Sequence, residues 1–587
     1  MLKTKSRGST NRSVGKQLQV IPIVTMISVI LFGGIGWRLS YLQLEQGKEN
    51  QLKADRNRTR IVPKPTVRGG IVDRNGKVLA ENHISYSAYL WPEAQQQKKW
   101  SKHRDVIAKI LSINPADLQN RVKASSYNYP SLIPIARNLT PEQITALEEY
   151  NSEFQWIEIE VDNVRHYPEG ELAAQIIGYT GELDQEQLER KKSEGYRLGD
   201  VVGKMGVELA HESKLKGERG GVKLEVDGAG RIVRMLGEEK AQPGTNIKLT
   251  LDANLQKATE AVLGTRKGAI VMLNPHNGAV LAMASYPRFD PNIFSATITN
   301  EAWQELQANG NPFLNMALRP FAPASTFKIV TASAGMETGK YPPNTVLGTY
   351  PFLQVGATRF GEWNKAGFGP MGYVSAIGWS SNTFFGQVGQ GVGGEELIKW
   401  ARAYGFGEPS GIELEEESTG LIADDAWKRL NFDDVGWTDG DSVNMSIGQG
   451  FTSATPLQVA VMFSAIANDG YRIIPHLLET DNQAKQAERV SLNLKPATLS
   501  TIKQGLRAVV NGGTGKRLNS YLIPPGAGKS GTAEAPPGEA HTWFGAYAPY
   551  DKPEVVVVAF AEHSGGGGGK IAAPLVRQAM EAYFSSK

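Results

Sequence analysis

The stretch GAIVMLNPHNGAVLAMAS, residues 268–285, decides the fold. Two short apolar runs flank Pro275-His276-Asn277-Gly278, a turn-forming group, so the stretch reads as two strands folded back on each other. Just before it, LTLDANLQKATEAVLG (249–264) reads as a helix capped by Asp252, with Leu255, Ala258 and Val262 on one face and Gly264 as its stop. Near the other end of the chain, TWFGAYAP (542–549) and PEVVVVAFAEH (553–563) read as two more strands. The glycine run 565–569 separates them from a closing helix, APLVRQAMEAYF. A sheet assembled from both ends of one domain, with helices between, is the economical arrangement. It predicts an α/β or α+β fold with a non-local core.

Working outward, a chain of 587 residues is too long for one ordinary core, and 41% hydrophobic with 21% charged residues argues for folded domains, two or three of them. The 64 glycines follow no period and point to turns and close approaches. Cysteine is absent, which removes disulfides, thiolate metal sites and Cys nucleophiles together. The formal charge of +3 is concentrated at the start, where Lys3, Lys5, Arg7, Arg12 and Lys16 precede any acid. The remainder is close to neutral and offers no case for nucleic acid. No repeat at a fixed period is present.

The basic cluster abuts QLQVIPIVTMISVILFGGIGW (17–37), uncharged throughout and about as long as a membrane-spanning helix requires. Positive charge before the segment predicts a cytoplasmic N-terminus and an extracytoplasmic body. A cleaved signal peptide competes, but the apolar run is long for one and no small-x-small site follows it. Residues 45–60 are polar and basic and read as a solvated juxtamembrane helix. From VRGGIVDRNGKVLAENHISYSAYLW the pattern turns to short strands, with Asp73-Arg74-Asn75-Gly76 as a turn. Residues 100–159 read mainly as helices, for example PEQITALEEY from Pro141. The mixed stretch 160–250 carries nothing catalytic, and a second domain opens at residue 251.

Three short motifs in that second domain could do chemistry. In FAPASTFKIV (321–330), a helix beginning near Ser325 and ending at Gly339 puts Lys328 beside the Ser325 hydroxyl. A serine hydroxyl attacks an acyl carbon poorly unless a neighbour takes its proton. A lysine serves as that neighbour only if an apolar setting or a nearby cation lowers its pKa from about 10.4. Alone, Ser-x-x-Lys reads first as a helix cap with a snorkelling lysine. Two further elements shift the balance. WSSNTFFGQVG places Ser380 and Asn382 before an apolar segment, and GAGKSGTAEAPPG places Lys529, Ser530, Gly531 and Thr532 on a short strand. Serine, then Ser-x-Asn, then Lys-Ser/Thr-Gly, in that order, is the arrangement of penicillin-recognising acyl-transfer enzymes.

With these motifs in place, the chain closely resembles the class B penicillin-binding proteins, and among them the elongation-type penicillin-binding protein 2 group. The resemblance runs nearly end to end. It includes the single anchor, RGGIVDRNG (68–76), RHYPEGELAAQIIGYTG (165–181), GKMGVELAHESKLKGERG (203–220), ASTFK (324–328), SSN (380–382), SIGQGFTSATPLQVA (446–460), KSGTAE (529–534) and GGGGGKIAAPLV (565–576). It implies a multidomain α+β and α/β chain: a tail (1–16), a transmembrane anchor and exit (17–44), a non-catalytic, elongated mixed pedestal or dimerisation-like domain (45–250), and a transpeptidase domain (251–587). The last would hold a central antiparallel sheet flanked by helices, like a serine β-lactamase.

The resemblance also implies a peptidoglycan D,D-transpeptidase that crosslinks stem peptides through a serine acyl-enzyme, is acylated by β-lactams and needs neither metal nor cofactor. Its expected membrane partners are a polytopic glycosyltransferase of the shape, elongation, division and sporulation group and other elongation-complex proteins. Carried over by motif, Ser325 is the nucleophile, Lys328 its base, Ser380 a proton relay to the leaving amine, and Asn382 the group that orients the donor amide. Lys529 would bind the substrate carboxylate, Ser530, Gly531 and Thr532 the donor strand, and the N–H groups of Ser325 and Ala533 would form the oxyanion hole. Ala324 stands where many relatives have glycine, and Lys529-Ser530-Gly531 where many have Lys-Thr-Gly. A D,D-carboxypeptidase, which passes the acyl group to water, and a non-catalytic β-lactam sensor or scaffold remain open. A β-lactamase fits poorly with the long region before residue 251. The eight histidines form no evident cluster; His541 and Glu534 read either as cleft residues or as structural ones.

Overall fold

The computed structural model describes residues 13–46, 59–64, 66–124, 132–196, 199–226, 232–295, 298, 300–308, 310–479 and 488–587. Lys3, Lys5, Arg7 and Arg12, and most of the expected juxtamembrane helix 45–60, lie outside the described residues. The chain divides into two units, Met1–Thr66 with Gly217–Pro243, and Val67–Lys216 with Gly244–Lys587. Residues 45–250, the expected pedestal, contribute to both units.

In the first unit the apolar run forms the helix Ser13–Ser40, longer at both ends than the sequence pattern marks, with Pro22 inside it. The window Pro22–Glu45 has a mean hydropathy of 1.7 and none of it is buried, so among the described residues this is the one helix long and apolar enough to cross a membrane. The same unit holds a three-stranded sheet in which Gly220–Val226 pairs antiparallel with both Thr59–Lys64 and Ile232–Glu239. That pairing places residues 217–243 in the first unit.

In the second unit, Asp73 makes the turn expected after Ile71–Val72. Its Oδ1 accepts from the N–H groups of Asn75 and Lys77, each at 2.8 Å, and Gly76 takes φ +88°. The strand Val78–Leu90 then pairs with Ile71–Val72, Ile133–Ala136 and Ile157–His166, and Ile247–Lys248 closes the sheet by parallel pairing with Ile71–Val72. Thr140 caps the helix Pro141–Asn151 in a reciprocal capping box with Gln143. Arg68, from the arginine-glycine segment, and Arg165 both converge on the fully buried Glu208, with Nε to carboxylate distances of 2.6 Å, and Arg68 also reaches Glu212 at 2.7 Å. Burial alone would push the Glu208 carboxyl up, but Arg165 and Arg68 hold it below its ordinary value.

The sheet built from both ends of the domain is present. Its strands are β1 (Gly268–Leu273), β2 (Val280–Tyr286), β3 (Ala527–Ala533), β4 (His541–Ala548) and β5 (Val555–Ala561), antiparallel in the order β2-β1-β5-β4-β3. Every residue of β1 and β5 is buried, which is why both read as continuous apolar runs rather than alternating ones. Around the sheet lie α1 (Ala253–Leu263), α2 (Lys328–Glu337), α3 (Asn382–Val392), α4 (Pro456–Ala467), α5 (Pro496–Asn511) and α6 (Ala572–Ser585). Helices α1 and α6 pack together and cover β2, β4 and β5, while α4, buried along its whole length, covers β1, β4 and β5 from the other side.

Asp252 caps α1 as expected, accepting from the N–H groups of Asn254 and Leu255, and Gly264 ends it. The buried stripe of α1 is rotated from expectation, however. It runs through Leu255, Gln256, Thr259, Glu260 and Leu263, with Ala258 and Val262 only half-buried. The physical reason is polar pairing: Gln256 exchanges hydrogen bonds with the backbone of Met283 (2.7 and 3.0 Å), and Glu260 accepts from the Ala173 N–H at 2.9 Å. Removing the carboxylate at Glu208 would strand the buried Arg165 guanidinium and take from Arg68 one of its two carboxylate partners. Glu208→Ala is expected to cost about 3–5 kcal/mol of stability, read as a lower denaturant midpoint. In wild type this contribution is present above the unfolded pKa of about 4.3 and is lost as pH falls below it.

Candidate active site

The helix expected from Ser325 to Gly339 is two pieces. Ala324–Phe327 is a 3-10 turn and the α-helix begins only at Lys328. Ala324 heads the turn at φ +51°, outside the right-handed helical region, and its N–H is held by the Gly448 carbonyl at 2.8 Å. Gly448 is itself at φ +72°, and a Cβ there would collide with the Ala324 carbonyl oxygen, so this position of the loop needs glycine. Thr331 ties α2 to the same loop through the Ser446 carbonyl at 2.7 Å. In a 3-10 turn positions i and i+3 eclipse, which sets Ser325 and Lys328 on one side. Ser325 is half-buried, and its hydroxyl makes no hydrogen bond among the described residues.

Lys328 is fully buried. Its Nζ donates not to Ser325 but to the Ser380 carbonyl and to Asn382 Oδ1, both at 2.7 Å, with the Ser380 hydroxyl at 3.4 Å. Desolvation pushes its pKa down to about 7, with Glu362 pulling the other way. Ser380 ends the helix Tyr373–Trp379 in the left-handed region at φ +58°, and Ser381 immediately caps α3. This tight join exposes the Ser380 carbonyl to Lys328 and sets Asn382 beside it. The Asn382 carboxamide is held at both ends, since its Nδ2 donates to the Gly361 carbonyl at 3.0 Å.

Lys529 lies on β3, the edge strand of the sheet, and is also fully buried. Its Nζ donates to the Ser380 hydroxyl at 2.7 Å and to the Ser530 carbonyl at 3.0 Å. Burial, and then the neighbouring Lys328, lower it well below an ordinary lysine. Ser530 shares a 2.7 Å hydrogen bond with the Thr514 hydroxyl, and Thr532 Oγ1 accepts from the Gly568 N–H at 3.1 Å. Gly531 packs against the Ala324–Phe327 turn: a Cβ there would lie 3.2 Å from the Pro323 carbonyl and 3.3 Å from the Thr326 methyl.

The ladder corrects one expectation. A Cβ on Gly568 would press on the Gly531 and Trp543 carbonyl oxygens together, so these oxygens lie close to each other. Only the hydrogen-bonded kind of antiparallel pair brings them that close. With no register shift in β3, Ala533 and His541 form the next pair of that kind, which turns the Ala533 N–H into the sheet. The Thr532 N–H, one residue earlier, faces the open edge beside the turn that carries Ser325.

Sequence reasoning missed Glu362 and Thr514. Glu362 carries a signal in retrospect, since it is the only acid between Glu337 and Glu395. A second correction concerns histidines: pairing of Val78–Leu90 with Ile157–His166 stacks His83 on His166 at 4.0 Å, with Glu81 beside them. His541 accepts from the His563 N–H at 3.0 Å and packs edge-on against Phe321 and Phe560, a structural placement. Glu534 is exposed, and its side chain makes no hydrogen bond among the described residues.

Residues 268–581 match the penicillin binding protein transpeptidase domain, and residues 63–249 match the penicillin-binding protein dimerisation domain. The peptidoglycan D,D-transpeptidase MrdA of Haemophilus influenzae is 33% identical over 602 residues, covering 96% of this chain and 91% of its own. A chain from the complex between penicillin-binding protein PBP2 and MreC of Helicobacter pylori superposes with a TM-score of 0.80 at 28% identity, over 89% of this chain and 99% of that one. A chain from a peptidoglycan synthase complex that coordinates polymerization and crosslinking gives a TM-score of 0.69 at 30% identity, over 97% and 99%. The chain therefore belongs to the penicillin-binding protein transpeptidase family.

Proposed function

We propose that the chain is a class B, serine-type peptidoglycan D,D-transpeptidase of the elongation type, with Ser325 as nucleophile and Lys328 as its base. The observation that carries this reading is the buried pair Lys328 and Lys529 meeting at the Ser380 hydroxyl beside the turn that presents Ser325. A lysine brought down to about 7 accepts a proton at neutral pH, which an ordinary lysine does not. Ser325 Oγ attacks the scissile carbonyl of the donor stem peptide as its proton passes to Lys328. The N–H groups of Ser325 and Thr532 receive the oxyanion. Collapse breaks the amide bond, and the leaving amine takes a proton through Ser380, which Lys529 orients. The acceptor peptide's amine then attacks the acyl carbon, losing a proton through Ser380 to Lys328, and the ester bond breaks as Ser325 Oγ takes that proton back.

Asn382 acts first on Lys328, to which its Oδ1 is committed, and its remaining Nδ2 hydrogen is left for the donor amide. Lys529 meets the substrate carboxylate, whose charge offsets the cost of burying an ammonium, and Ser530, Gly531 and Thr532 pair with the donor along the open edge of β3. The basic N-terminus supports an anchor with a cytoplasmic tail and an extracytoplasmic catalytic domain. The likeness to a PBP2 that binds MreC and to a synthase-complex subunit supports work beside a membrane glycosyltransferase of the shape, elongation, division and sporulation group and other elongation proteins.

Intact-mass spectrometry of the chain with a penicillin tests the assignment. A persistent single adduct on wild type, absent in Ser325→Ala and slowed by about 100-fold or more in Lys328→Ala, is expected. An adduct that survives in Ser325→Ala would sink it. Because the base must be neutral, the acylation rate should rise with pH and level off above a midpoint near 7. A flat profile between pH 5.5 and 8.5 would remove Lys328 from the role.

A further inference from the structure

The second motif rests on a group that belongs to none of the three. Glu362 follows the strand Thr358–Gly361 and is 4% exposed. Five donors converge on its carboxylate. Oε2 accepts from Ser381 Oγ at 2.6 Å, the Thr383 N–H at 3.0 Å and Thr383 Oγ1 at 3.1 Å, while Oε1 accepts from the Asn382 N–H at 3.1 Å and the Trp363 N–H at 3.0 Å. The Asn382 and Thr383 N–H groups are the first two of α3, which have no partner inside a helix, and the positive end of the helix dipole faces the carboxylate. The residue so clamped, Asn382, holds Lys328, and the preceding Ser380 holds both Lys328 and Lys529.

We propose that Glu362 is a positioning residue for acyl transfer, a buried carboxylate that clamps the first turn of α3 so that Asn382 and Ser380 hold the Lys328 amine in reach of Ser325. This deepens the transpeptidase reading and rests on it. Glu362 touches no reacting atom; it acts through the α3 backbone and through its charge. The charged groups facing Lys328 are Glu362 itself and Lys529 from β3, which shares the Ser380 hydroxyl with it, while α3 adds no charge, only Asn382 Oδ1 and the Phe385 ring at 5.7 Å. Glu362 thus supplies the negative charge that opposes burial at Lys328.

The test is the pH profile of penicillin acylation, followed by intact mass on the full chain in detergent beside its unfolding temperature. Wild type is measured first, and its failure to acylate would count against the transpeptidase reading, not against the clamp alone. Glu362→Gln is expected to slow acylation by about 10–100-fold and to move the midpoint of the profile to lower pH, because Lys328 loses its one opposing charge. Glu362→Asp, which keeps the charge, is expected to return the midpoint to the wild-type value with part of the rate. Ser381→Ala removes one of the five donors and leaves the charge, so the midpoint should stay and the rate fall by less than about tenfold. A wild-type rate and midpoint in folded Glu362→Gln would overturn the proposal. So would a rate that falls only in step with the unfolded fraction while the midpoint stays fixed. If Glu362→Gln does not fold, Glu362→Asp decides alone: a midpoint displaced from wild type, despite the retained charge, would reject the clamp.

Discussion

Two lysine side chains brought to one hydroxyl, away from water, set the terms for the rest of the catalytic domain. Lys328 and Lys529 are both fully buried and both donate to Ser380. Burying an ammonium costs several kcal/mol unless its hydrogens find acceptors and its pKa falls. The fold meets both conditions with rigid acceptors, namely the Ser380 carbonyl, Asn382 Oδ1 and the Ser530 carbonyl. The first two sit where one helix ends and the next begins, and the third lies on the unpaired edge of β3, so each is free of the local ladder. The same burial brings the Lys328 pKa down to about 7.

That arrangement explains why the site is assembled at the edge of a sheet and not within a loop. β3 brings Lys529 and the open backbone edge, α2 brings Lys328, and the join before α3 brings Ser380 and Asn382. The central strands β1 and β5 are covered on both faces and contribute no reacting group; they fix the plane from which β3 projects. Residues 446–448 lock the nucleophile turn to α2 from behind, through the Gly448 and Ser446 carbonyls. A displacement of any one part would move an amine that has only a few acceptors within reach.

Much of this was legible before the structure. The strands of the central sheet, the Asp252 cap, the Gly264 stop and the Asp73 turn follow from apolar runs and local turn chemistry, which act over a few residues. The candidate reacting groups stood out as well, because Ser325 and Lys328 sit where an apolar run should have no hydroxyl or ammonium. The break between the 3-10 turn and α2 was not, since the positive φ of Ala324 is imposed by Gly448, far along the chain. The rotation of α1 escaped notice because Gln256 and Glu260 look like surface residues until their backbone partners are placed against them.

The sequence by itself determined most of the elements and which side chains are candidates to react, because capping, turns and apolar periodicity are read within one or two turns of chain. Only the tertiary structure decided where those side chains point. It directed Lys328 to Ser380 and Asn382, turned the Thr532 N–H rather than that of Ala533 to the open edge, and placed Glu362 under α3. It also joined residues 217–243 to the N-terminal unit through strand pairing with Thr59–Lys64. Each of these rests on contacts between segments far apart in the chain, and hydrogen-bond register and burial exist only once those segments have met.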